Sequence, residues 1–283
     1  MRTIADILSD VKQVAKEAGS FIRGQRKHFD SSQVEMKGAH DYVSYVDKEA
    51  ERMIVTSLSE IVPEAGFVTE EGTQRKIFSL SSHISNKAPQ FPDLVSQLPT
   101  LTWVVDPLDG TTNFVHDMAP YCVAIALRTE EEILVGVVYE ICADELFYTC
   151  KGMPSYLNGH EIHVGGAKEV NEALINIGFP YDADFWTHRA QELTERLYGH
   201  CASIRNLGSA ETELCYVACG RFDAYIESHL KPWDVTAGGL ILLNAGGQVT
   251  DYSRGTKWWT GEELLATNGF IHEELLTKIG DIL

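Results

Sequence analysis

The run Leu101-Thr-Trp-Val-Val105 ends without transition in Asp106-Pro-Leu-Asp-Gly-Thr-Thr112, and no other stretch limits the possible folds as much. Five residues this apolar read as a buried β-strand. Pro107, which has no N–H to give a ladder, and Gly110 then interrupt it. A sheet must bury this strand and deliver its end, with Asp106 and Asp109, to a place that tolerates two carboxylates. Such a strand end suits a hard divalent cation, which takes oxygen ligands. The Gly110-Thr111-Thr112 backbone offers N–H groups that suit a phosphate. Taken alone, Asp-x-x-Asp-Gly reads equally as an acidic turn with glycine at positive φ.

The rest of the chain supplies layers for that strand. Ile4, Ile7, Leu8, Val11, Val14, Ala15, Ala18 and Ile22 recur at helical spacing, and a second stripe runs from Val46 to Ile61 before Pro63. Residues 28–43 read as an irregular or hairpin segment carrying Lys37. Gly66–Thr69 reads as a short strand running into Glu70-Glu71. Residues 72–100, with scattered prolines, serines and asparagine, read as a surface excursion. Strands are expected at 121–128, 133–140, 145–150 and 161–164, with Asn158-Gly159 as a tight turn. From about 170 the pattern alternates: strand 174–178, helix 186–199, strand 203–206, helix 209–219, strand 222–227, helix 233–245. We therefore expect an α+β N-terminal half, 1–150, and an α/β half, 151–283.

Other acids strengthen the reading of the turn. Glu70 ends a different strand, Asp47 lies on the second helical stripe, and Asp234 opens a helix after Pro232-Trp233. A solvated helix-face acid explains Asp47, and a favourable dipole position explains Asp234. Neither explains why they accompany Asp106 and Asp109. Carboxylates brought within ~4 Å repel by about 4 kcal/mol per pair at an effective dielectric near 20, a cost that cations remove.

Asp106-Pro-Leu-Asp-Gly-Thr-Thr-Asn-Phe114 resembles the first signature of the inositol monophosphatase family, and Trp233-Asp-Val-Thr-Ala-Gly-Gly239 with its continuation to Gly247 resembles the second. Val43-Ser-Tyr-Val-Asp47, Thr69-Glu-Glu71 and Leu207-Gly-Ser-Ala210 follow the family's order and spacing. The resemblance implies a layered αβαβα sandwich of the sugar phosphatase type, a homodimer, and two Mg2+ ions per subunit with a loosely held third. Glu70, Asp106 and the Leu108 carbonyl would hold the first ion. Asp106, Asp109 and Asp234 would hold the second, and Glu70 would reach a third through water. Asp47 and Thr111 would activate the attacking water, and the N–H groups of Gly110, Thr111 and Thr112 would receive the phosphate. Gly208, Ser209, Ala210 and Glu227 would line the polyol pocket. Ser209 also reads as a plain helix N-cap.

The implied activity is hydrolysis of myo-inositol 1-phosphate or similar inositol monophosphates, inhibited by lithium. Alternatives are a fructose-bisphosphatase-type enzyme, a phosphatase of another small ester such as histidinol phosphate, and a catalytically silent metal-binding interaction protein. Glu211 and Glu213 depart from the family, which often has small or apolar residues there. The net charge of -18 argues against nucleic acid or an anionic membrane as main partner. No signal peptide is evident, and six cysteines without a Cys-x-x-Cys pair read as free thiols, which suits the cytoplasm.

Overall fold

The computed structural model describes residues 3–29, 35–38, 41–72, 101–179 and 183–282. The expectation for residues 73–100 and the Lys37 side chain lie outside the described residues. Helix α1 (Ile4–Arg26) starts on a capping box in which Thr3 and Asp6 each accept from the other's backbone. A hairpin of β1 (Glu35–Gly38) and β2 (Asp41–Val43) leads to α2 (Tyr45–Ile61), itself opened by a capping box between Ser44 and Asp47.

Strand β3 (Gly66–Thr69) pairs parallel with β4 (Thr102–Asp109). A meander follows: β5 (Cys122–Arg128), β6 (Ile133–Glu140), β7 (Glu145–Cys150), β8 (Tyr156–Leu157) and β9 (His160–Glu161), closing a 7-stranded sheet in chain order. The short helix α3 (Thr111–Val115) lies between β4 and β5. Asn158 and Gly159 join β8 to β9 at φ 49° and 89°, the left-handed pair that a two-residue hairpin needs. The strand expected at 161–164 is cut to this two-residue edge, after which the chain leaves the sheet: the Val164 N–H donates to Ala245.

A 5-stranded sheet follows, ordered β11-β10-β12-β14-β13. It is built from β10 (Leu174–Ile177), β11 (Ser203–Arg205), β12 (Ala224–Leu230), β13 (Gln248–Thr250) and β14 (Glu262–Thr267). Helices α4 (Ala183–Leu197), α5 (Ala210–Ala218), α6 (Thr236–Asn244) and α7 (His272–Ile279) complete the chain.

Period-2 alternation assigns each strand face to a layer. Trp103, Val105, Val123, Ile125 and Val137 pack with the apolar stripes of α1 and α2. Val104, Ala124, Ala126 and Val138 face the opposite way, onto α5 and α6, whose other side meets Tyr225, Leu264 and Ala266. Ile175, Ala224, Ile226 and Leu265 then face α4 and α7. The result is the expected αβαβα sandwich. Helix α6 is apolar all round because it lies between two sheets.

Close approach of α6 to the first sheet depends on Gly136 in β6, where a Cβ would stand 2.7 Å from the Ala237 carbonyl oxygen. Gly136→Ala should therefore destabilise the fold by about 1–3 kcal/mol, lowering Tm by roughly 3–10 °C in thermal denaturation. An unchanged Tm would show that the two layers can part without cost.

Candidate active site

The end of β4 departs from regular pairing at the acidic turn. Asp106 opposes Ala124 but Asp109 opposes Cys122, so the strand bulges across Pro107-Leu108. This bulge aims both carboxylates into one cleft instead of alternating them across the sheet. Asp106 is buried, and its Oδ1 accepts from the Leu108 N–H at 2.9 Å. Burial, then the charges of Glu70, Asp109 and Asp234, raise its pKa well above the ordinary carboxylate value. Four acids from three separate elements therefore converge.

Asp109 is held by the start of α5. Its Oδ2 accepts from Ser209 Oγ at 2.7 Å and from the Glu211 N–H at 2.8 Å, and its Oδ1 accepts from the Ala210 N–H at 3.2 Å. The Cys122 thiol donates to Oδ2 at 3.4 Å. Asp109 thus caps a helix from a different layer. Ser209 occupies the N-cap position of α5, but its hydroxyl makes no capping bond and is turned to Asp109. Burial raises the pKa of Asp109, and these donors oppose the rise.

Asp47 is buried, not solvated on a helix face. As the N3 residue of α2 its Oδ2 accepts from the Ser44 N–H at 2.9 Å and Ser44 Oγ at 2.7 Å. Its Oδ1 is left for the Thr111 hydroxyl, 3.0 Å away. The same hydroxyl lies 2.9 Å from the Leu108 carbonyl oxygen, so one proton has two acceptors. Glu70 follows β3 and is half-buried. The adjacent Glu71 N–H donates to buried Glu51 at 2.6 Å. Asp234 ends a 3-10 turn, Pro232–Asp234, that packs against β4, and its Oδ2 accepts from the Lys231 N–H at 2.7 Å. Helix α6 starts at Thr236, two residues later than Asp234.

Gly110 adopts φ +90°, and a Cβ there would meet the Pro120 carbonyl oxygen at 3.0 Å and that of Gly208 at 3.3 Å. It opens α3, where first-turn N–H groups have no acceptor within the helix. Asn113 Nδ2 donates to the Pro120 and Leu207 carbonyls at 2.8 and 2.7 Å, fastening α3 to the 207–208 segment.

A cavity of about 570 Å³ joins these groups to a second wall made by Gly178, Gly208, Ser209, Ala210, Glu213 and Glu227. The two acids that depart from the family pattern have distinct tasks. Glu211 turns away and accepts from the Ala237 N–H at 3.0 Å and from the Gly238 N–H, capping α6. Glu213 Oε1 accepts from the Leu207 and Gly208 N–H groups at 2.7 and 3.0 Å. Glu227 accepts from the Tyr225 hydroxyl, and burial followed by the charge of Glu213 pushes its pKa well above normal. Gly178 leaves room for it: a Cβ there would lie 2.0 Å from Glu227 Oε2. Glu51, Gly178 and the fastening role of Asn113 carry no motif that sequence reading could use.

Burial raises Glu213 from 4.5 to about 7. A carboxyl with a higher pKa in the folded state binds more protons folded than unfolded, so its stability contribution is fully present below pH 4.5 and is lost as pH rises through about 7. In EDTA, Glu213→Gln should lose less Tm than wild type between pH 5 and pH 8. Parallel slopes in a differential scan would refute this share for Glu213.

Among the described residues no three His, Cys, Asp or Glu side chains already form a ready cage for an ion. The donor set nevertheless fits a hard cation: Glu70, Asp106, Asp109 and Asp234 all line the cleft with carboxylates, and Asp106 carries the repulsion of three neighbours that a cation would relieve. Asp106 and Asp234 instead turn an oxygen to nearby N–H groups. No described helix is long and apolar enough to cross a membrane. All six cysteines are free thiols, with Cys122, Cys150 and Cys215 buried and Cys142 exposed.

A family model described as the inositol monophosphatase family matches residues 5–283. The chain is 31% identical to the Nus factor SuhB of Escherichia coli K12 over 277 residues, covering 98% of this chain and 97% of that one. It is 34% identical to the inositol-1-monophosphatase of Rhizobium meliloti over 271 residues, 95% and 94% of the two chains. The Thermotoga maritima IMPase structure superposes with a TM-score of 0.79 at 28% identity, covering 96% of this chain and 95% of that one.

Proposed function

The chain belongs to the inositol monophosphatase family, and from that premise we propose that it is a magnesium-dependent phosphomonoesterase. Its substrate in this reading is myo-inositol 1-phosphate or a similar inositol monophosphate. The observation that supports this most directly is the Thr111–Asp47 hydrogen bond, set beside the four converging acids.

Glu70, Asp106 and the Leu108 carbonyl would hold one Mg2+, and Asp106, Asp109 and Asp234 a second, with Glu70 reaching a third through water. When bound, such ions neutralise the carboxylates, draw in phosphate oxygens and acidify water. The residues of the chain do the rest. With its proton directed to Asp47 Oδ1, the Thr111 oxygen has lone pairs free to take a proton from the attacking water. Asp47, buried and already bonded to Ser44, is fixed in place as the final acceptor. The N–H groups of Gly110, Thr111 and Thr112 receive phosphate oxygens, and Glu227 accepts from a hydroxyl of the leaving alcohol. Lithium inhibition, a homodimer and a cytoplasmic location accompany this reading as family expectations.

Phosphate release with Mg2+ from myo-inositol 1-phosphate, fructose 1,6-bisphosphate and histidinol phosphate tests the assignment. The highest kcat/KM is expected for the inositol ester. A preference for the bisphosphate would overturn the substrate. Hydrolysis of no ester at all would favour a metal-binding interaction protein.

A further inference from the structure

The part of the cavity lining that carries Glu227 contains a residue that the family reading leaves without a role. Strand β12 pairs Ser228 with Glu263 and Leu230 with Glu262, leaving His229 as one extra residue in a β-bulge. His229 adopts φ +64°. A residue other than glycine is uncommon in that conformation, because Cβ crowds the backbone there, although histidine is enriched in it beside asparagine and aspartate. Of the non-glycine residues at positive φ among the described residues, His229 alone lines the cavity. Bulges beside active sites commonly re-aim a side chain, and this one presents an exposed imidazole at the cavity rim.

The company of His229 defines what it offers. The described cavity lining contains Glu70, Asp106, Asp109, Glu213, Glu227 and Asp234, no lysine or arginine, and one histidine. The neighbouring Ser228 hydroxyl is paired with the Tyr252 hydroxyl at 2.8 Å. On this wall Glu227 is an acceptor, whereas an imidazole both donates and accepts. Glu227 and His229 both line the cavity with Ser228 between them, so they address different parts of a bound alcohol rather than a single hydroxyl.

We propose that His229 is a specificity-determining residue that hydrogen-bonds the far hydroxyls of the leaving group, so that the site favours monophosphates of a six-carbon ring polyol over those of a three-carbon chain. This deepens the phosphatase reading above and rests on it. Short alcohols reach Glu227 but leave His229 unused.

The comparison is His229→Gly against wild type, with myo-inositol 1-phosphate and glycerol 2-phosphate as probes in Mg2+. Glycine accepts φ +64° without strain, so the variant should fold with an unreduced Tm. Its kcat/KM for the inositol ester should fall about fivefold to tenfold, the worth of one or two neutral hydrogen bonds. The loss should lie in KM with kcat nearly constant, and glycerol 2-phosphate should change less than twofold. His229→Asn, which tolerates the same backbone and retains a donor, should lie between. Equal losses on both esters, or no loss on either, would overturn the proposal. Calorimetric binding of the two esters in Ca2+ makes the same comparison without turnover. A protein that binds the inositol ester through His229 but cleaves nothing would sink the phosphatase reading and keep this one.

Discussion

Asp106→Asn should yield a folded protein that hydrolyses phosphate esters about 10³-fold or more slowly, a loss of ~4 kcal/mol in transition-state stabilisation. The side chain is buried, and an amide oxygen can still accept from the Leu108 N–H. What the substitution removes is the negative charge facing Glu70, Asp109 and Asp234. In EDTA the variant should therefore be at least as stable as wild type, because the repulsion is relieved. In Mg2+ the order should reverse. A ligand at a hundred times its dissociation constant stabilises the protein that binds it by about 2.7 kcal/mol, and the variant should lose most of that gain. Scanning calorimetry with and without Mg2+, beside phosphate release, separates these effects. Near-wild-type turnover would remove Asp106 from the centre of the site.

Asp47→Asn should slow the chemical step about 10²–10⁴-fold while Mg2+ affinity stays within a factor of two. Asp47 does not face the cleft with the four acids; it touches Thr111 and Ser44. Thr111→Ala should cause a similar loss, and Thr111→Ser, which keeps the hydroxyl, a much smaller one. If the hydrogen-bonded hydroxyl and carboxylate act as one relay, as proposed, the double variant Asp47→Asn/Thr111→Ala should be little slower than either single variant. Losses that multiply in single-turnover phosphate release would show that the two residues act separately. A modest stability cost of about 1 kcal/mol for Asp47→Asn belongs to the capping box, not to the chemistry.

The layered fold was largely legible because its strands are apolar on both faces or cleanly alternating. Trp103 and Val104, for instance, serve opposite layers. The end of the chain was not. Glu262-Glu-Leu-Leu-Ala-Thr267 is rich in helix formers, yet it is a strand between β12 and β13. Pairing with two neighbours outweighs intrinsic preference there. Helix α7 likewise follows residue 245, beyond which no element was expected.

At the site, residue identities were readable and their supports were not. Ser44-x-x-Asp47 has the form of a capping box, but nothing in the spacing says that the other oxygen of Asp47 meets Thr111, 64 residues later. Ser209 looks like a cap and gives its hydroxyl to Asp109 instead, since that carboxylate already serves the amides of α5. Glu211 and Glu213 look like extra pocket acids, yet both bind backbone N–H groups that hold neighbouring segments. Long-range contacts of this kind leave no local periodicity to detect.

Gly178 touches none of the acids assigned to the cations, yet any side chain there would push the Glu227 carboxylate out of its place, since a Cβ would stand 2.0 Å from Oε2. The neighbour is the end of a movable side chain rather than backbone, so the fold can absorb the change while the alcohol wall cannot. If Glu227 binds the leaving alcohol as proposed, sequence drift at this one position would redraw the range of esters accepted and leave phosphate cleavage as it is. Selection can thus act on what is cut separately from how it is cut.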